Sequence, residues 1–118
     1  MLKDPFPTPD TICFHSQQCM EKLLKGFLTA RGQDIVFTHD LPHLMTLCIE
    51  LDERFSKWMN AARELTDYAV EVRYPDDWRD IPLEEAANAT EIAKQFRNFV
   101  SELMKEIDTT TSEEDNNS

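Results

Sequence analysis

The stretch FHSQQCMEKLLKG, Phe14 to Gly26, gathers a histidine, two glutamines, a cysteine, a glutamate and two lysines. Such types could supply a proton-transfer group, a thiol, a carboxylate or a phosphate contact. On a helix, His15, Gln18, Lys22 and Lys25 recur at intervals of three and four and form one polar stripe, opposite Leu23 and Phe27. Glu21 flanks the stripe, three residues after Gln18 and four before Lys25, where a local Glu21–Lys25 pair is favoured. As a catalytic dyad His15 and Glu21 fare badly. Six residues of helix separate them by about 9 Å along the axis and turn them to different sides. The pattern suits a packed or interfacial polar seam better than a reactive centre.

Other chemistry lacks parts. His39 and His43 are four apart beside Asp40, but HExxH is absent and further ligands are wanting, so no metal is expected. His39 is expected to fasten its loop and His43 to point outward. With only Gly26 and Gly32, no phosphate-cradling loop can form, and no serine sits in a nucleophile elbow. Cys13, Cys19 and Cys48 are odd in number and contain no Cys-x-x-Cys, which reads as buried free thiols. No cofactor is expected.

These residues need helices to position them. Met1–Pro9 holds three prolines and reads as an extended lead-in. Asp10 or Thr11 can cap a first helix running to about Ala30, with Ile12, Cys19, Met20, Leu23, Leu24, Phe27 and Leu28 at helical spacing. Gly26 interrupts it without ending it and marks a candidate close helix crossing. Thr38 or Asp40 and Pro42 start a second helix over about Leu41–Leu51. Phe55, Trp58, Met59, Ala62, Leu65, Tyr68 and Ala69 ask for a long third helix over about Glu53–Glu71. Tyr74 before Pro75 breaks the rhythm, and Pro82 opens a fourth helix whose buried face ends near Ile107. The polar, acidic residues 108–118 bury nothing and read as a disordered tail. The expected architecture is one all-α domain over residues 1–107, an up-and-down bundle of three long helices and one short one.

Charge narrows the functions. Twenty-three acidic residues against twelve Lys and Arg give a net charge of −11. That balance argues against non-specific affinity for nucleic acid or anionic lipid, although a local basic site is compatible with it. No apolar run reaches the roughly 18 residues of a membrane helix, and the first twenty residues lack a signal-peptide layout. The chain reads as soluble and cytoplasmic.

Three stretches together resemble the HEPN family, small helical domains often described as nucleotide-binding. CFHSQQCMEKLLKGFL carries Phe14, His15, Gln17, Gln18, Glu21, Lys22, Leu24 and Lys25 of its helix signature. THDLPHL matches the entry to the next helix through Thr38, His39, Asp40, Leu41 and Leu44. RYPDDW contributes Arg73, Tyr74, Pro75 and Asp76 before the last long helix. The resemblance covers about residues 11 to 107.

The resemblance implies an additional amphipathic helix before the first, for which the ten residues ahead of it have no counterpart. Apolar surface along the first helix would then be bared, and a second copy could cover it as a homodimer. It also implies a metal-independent ribonuclease in members with an arginine followed, four to six residues on, by a histidine. Arg97 is followed by no histidine, and Arg31 reaches His39 only after seven intervening residues. The expected protein is thus non-catalytic, resembling the prokaryotic partner subunit of a small nucleotidyltransferase in a toxin–antitoxin-like pair. Its ligand or interface candidates are His15, Gln18, Glu21, Lys22, Lys25, Arg73 and Tyr74. Lys22, Lys25 and Arg73 would neutralise phosphate and Tyr74 would stack on a base. The alternatives are a ribonuclease using Arg31 and His39, and a ligand-free structural adaptor.

Overall fold

The computed structural model describes residues 8–69 and 81–117, with side chains described over 8–69 and 81–107. The chain forms α1 (Pro9–Ala30), α2 (Leu41–Leu51), α3 (Met59–Leu65) and α4 (Leu83–Asn117), with 3₁₀ segments at Glu53–Trp58 and Thr66–Tyr68. No strand occurs among the described residues, so the fold is an all-helical bundle. No described helix is long and apolar enough to cross a membrane.

Local signals explain the first two helices. Thr8, rather than Asp10 or Thr11, caps α1 by accepting from the Thr11 amide at 3.2 Å, and Pro9 stands in the first turn. Its end is a Schellman-type stop. Gly32 adopts φ 78, and Gln33 N donates to Leu28 O at 2.9 Å. The Asp40 carboxylate caps α2 by accepting from His43 N at 3.1 Å, with Pro42 in the first turn.

Gly26 is not at a helix crossing: a β-carbon built there meets nothing within 4 Å. Glycine at this exposed mid-helix site only weakens α1. Gly26→Ala is therefore expected to stabilise the domain by about 1 kcal/mol, seen as a rise in the urea midpoint with an unchanged slope.

The expected third helix is instead broken into 3₁₀, α and 3₁₀ pieces, ending in extended backbone at Ala69. The aromatic core explains the tighter winding. With about three residues per turn, Phe55 and Trp58 fall one above the other. Both then meet α4: Phe55 lies 5.1 Å from Phe99 and Trp58 lies 5.1 Å from Phe96, centroid to centroid. An α-helical turn would keep both on one side but offset the two rings by about 60° around the axis. Asp52 starts the segment by accepting from the Arg54 amide, while the Arg54 guanidinium bridges Asp52 and Glu106 and ties the segment to α4.

α4 also departs from expectation, continuing beyond Ile107 to Asn117. No proline or glycine follows Pro82 to stop it. Its 35 residues make a rod about 52 Å long at 1.5 Å per residue. That rod accounts for most of the 59 Å long axis.

α1 and α4 share the principal seam, and α2, α3 and the first 3₁₀ segment close the bundle over it. Phe27, Phe55 and Phe96 with Met20, Leu24, Leu41, Leu44, Met45 and Leu65 form the fully buried centre. The large apolar side chains exposed among the described residues are Ile35, Phe37 and Leu83. None belongs to α1, so the expected bare apolar strip along that helix is not found. Ile12 and Leu23 pack partly against the core instead.

Candidate functional site

The polar signature of α1 divides between two sides of the helix. Gln17 and Glu21 turn inward, 0% and 5% exposed, into the row of Cys13, Met20 and Leu24. His15 and Lys22 stay exposed, and Gln18 and Lys25 are half-buried. Glu21, expected at the margin of the solvated stripe, is the centre of a buried network. Its Oε1 accepts from Gln17 Nε2 at 3.1 Å and pairs with His39 Nδ1 at 2.9 Å, while Oε2 accepts from Lys25 Nζ at 2.9 Å. Gln18 Nε2 in turn donates to Gln17 Oε1 at 2.8 Å.

This arrangement sets the protonation of the carboxylate. Burial pushes the Glu21 pKa up, but hydrogen bonds from His39, Lys25 and Gln17 together outweigh it and hold Glu21 below its usual range. An ionised carboxylate only accepts, so the Nδ1 of His39 must carry the proton that joins them. The backbone of His39 is tied as well: its carbonyl accepts from Thr66 Oγ1 and Gln17 Nε2, both at 3.4 Å. Thr66 Oγ1 also accepts from Leu41 N at 3.0 Å. One residue therefore fastens the connector to α1 and to the end of α3. His43 lies exposed on α2.

The sequence alternatives find separate places. The Arg31 guanidinium sits over the Phe27 ring at 5.6 Å and donates to Leu51 O, whereas His39 is engaged with Glu21. Among the described residues no three His, Cys, Asp or Glu side chains form a metal-holding group. Cys48 is buried, its thiol pushed up to about 12 by desolvation, which leaves it inert at neutral pH. Arg73 and Tyr74 lie outside the described residues.

Two further features escaped the sequence reading. Tyr68 Oη donates to Glu85 across a polar recess that also holds Glu64 and Asn88. Burial, then the adjoining carboxylate, raise the Tyr68 phenol well above its usual value and keep it a donor. On the other side, His15 faces Lys94 and Arg97 across a cleft of about 240 Å³ between α1 and α4. The three are far apart in sequence; only the one-turn spacing of Lys94 and Arg97 on α4 hinted at a basic site.

The HEPN domain model matches residues 8–104, from the cap of α1 to the last buried turns of α4. Neither curated proteins nor solved structures give a match. The matched span contains the α1 signature, the His39 entry to α2 and the packed face of α4, and the chain belongs to the HEPN domain family.

Proposed function

We propose that the chain is a non-catalytic HEPN domain that works as a homodimer and as the binding partner of a nucleotidyltransferase, with a nucleotide as its ligand. The setting this implies is a prokaryotic, cytoplasmic pair of the toxin–antitoxin kind. The observation that carries the reading is the Glu21–His39 network. The acid–base types of the signature are bonded to one another, and the carboxylate takes three donors at once. A general base must be able to reach a substrate proton, and Glu21 is turned into the core. The lack of an Arg-x4-6-His motif points the same way. Ile35 and Phe37, at 70% and 92% exposure on the connector, are apolar side chains suited to contact with a protein.

Light scattering during size-exclusion chromatography tests the dimer. A solution mass twice the 13.8 kDa of one chain is expected. A mass of one chain overturns the homodimer and leaves the association with a different subunit to be tested by mixing the two purified proteins. RNA incubated with the chain is expected to survive as in a blank; cleavage abolished by His39→Ala overturns the non-catalytic reading.

A further inference from the structure

We propose that the cleft between α1 and α4 binds the phosphoryl group of a small phosphorylated ligand through His15, Lys94 and Arg97. Lys94 and Arg97 stand one turn apart on α4, and His15 meets them from α1. No carboxylate lines the cleft. Lys25, Arg54 and Lys105 form ion pairs, but His15, Lys94 and Arg97 have no ion pair or side-chain hydrogen bond among the described residues. This occurs in a chain with nearly twice as many acidic as basic side chains. Basic groups gathered without counter-charge repel one another, and an anion between them relieves that repulsion.

The remaining lining narrows the ligand. Ser16 Oγ donates to Ile12 O and Thr90 Oγ1 to Ala86 O, so both hydroxyl protons are engaged within their own helices. The donors left to a ligand are cationic or imidazole N–H groups together with the weakly donating free thiol of Cys19, a set that calls for an anion rich in acceptors. A phosphoryl group offers three terminal oxygens to three side chains, including a guanidinium fork, where a carboxylate offers two. Ile12 and Ala93 add an apolar wall for an organic moiety. The volume of about 240 Å³ falls below that of ordinary ligand sites, about 300–1,000 Å³, and suits a small phosphate ester held largely by its charged end. This gives the nucleotide part of the proposed function an address and rests on that part, but not on dimerisation.

The test is an NMR titration of the full chain, following the imidazole resonances, with a nucleoside monophosphate, the parent nucleoside and inorganic phosphate. The monophosphate is expected to shift His15 and leave His43 still, to bind more tightly than inorganic phosphate, and to lose that effect when the phosphate is removed. Arg97→Gln and Lys94→Gln should each weaken binding at least about tenfold, while Lys22→Gln, outside the cleft, should not. All three side chains are exposed, and circular dichroism checks that the variants keep the fold. A shift confined to other histidines, or equal binding by the Lys94→Gln/Arg97→Gln double variant, overturns the cleft while leaving a nucleotide ligand intact. Equal affinity for inorganic phosphate overturns the ester assignment. Absence of binding by every phosphate probe overturns both the cleft and the nucleotide reading.

Discussion

Phe55→Ala is expected to cost about 3–5 kcal/mol, a large share of the roughly 5–15 kcal/mol by which a small domain is stable. The side chain is 0% exposed and lies where three elements meet. Its ring stands 4.6 Å from Phe27 of α1, and 6.1 Å and 5.1 Å from Phe96 and Phe99 of α4. Truncation removes apolar burial and also the tilted and edge-on ring contacts, and it opens a void that rings anchored on separate helices cannot readily fill. It also removes the reason for the 3₁₀ winding of Glu53–Trp58, since that winding holds Phe55 and Trp58 over the same side of α4. Urea denaturation followed by circular dichroism should show a midpoint well below that of the parent. Phe37→Ala is the control: at 92% exposure its ring has little to lose, and a change within about 0.5 kcal/mol is expected. A small loss at Phe55 would mean that the aromatic centre repacks freely, against the tight winding that serves it.

Which parts of this molecule were legible beforehand follows from the range of the signals involved. The start of α2 rests on Asp40 and Pro42, groups that act within one turn, and it was read directly from the chain. So was the end of α1 near Ala30, where Gly32 supplies the left-handed residue. The third element misled because Phe55, Trp58, Ala62 and Leu65 satisfy a helical period; only the neighbouring rings of α4 select the tighter turn. Gln17 and Glu21 misled in a different way. Polarity suggested the solvent face, yet their positions continue the buried row through Cys13, Met20 and Leu24. Their acceptance there depends on His39, eighteen residues beyond Glu21, and a pairing over that distance is set by the packing of α1 against the connector. The cleft was the least accessible part. It joins His15 to side chains near residue 95, and no local pattern reports such a meeting.

Glu21→Ala should cost about 2–3 kcal/mol and should alter the response to acid. The substitution removes the acceptor shared by Gln17 Nε2 and His39 Nδ1 and leaves Gln17 Nε2 only its long 3.4 Å contact to His39 O, and under-satisfying a buried donor costs about 1–3 kcal/mol. Lys25 and His39 keep 30% and 46% of their side chains in solvent, so water takes over part of their loss and the cost stays below that of breaking a fully buried ion pair. The pH dependence follows from the depressed pKa. A carboxyl group that is more acidic folded than unfolded stabilises the native state above its unfolded pKa, and that contribution is lost as pH falls through the folded value. For Glu21 the loss begins as pH approaches the ordinary value of 4.5 and continues below it. Asp52, held down chiefly by its hydrogen bond from Arg54, acts in the same direction. The parent should therefore lose stability steadily below about pH 4.5, and Glu21→Ala should do so with a shallower slope because the Glu21 contribution is gone. Melting temperatures measured from pH 7 down to 3 check both statements. Parallel acid profiles for parent and variant would show that Glu21 gains nothing from its three donors, and would remove the structural reason for treating the α1 signature as a fastening of the fold.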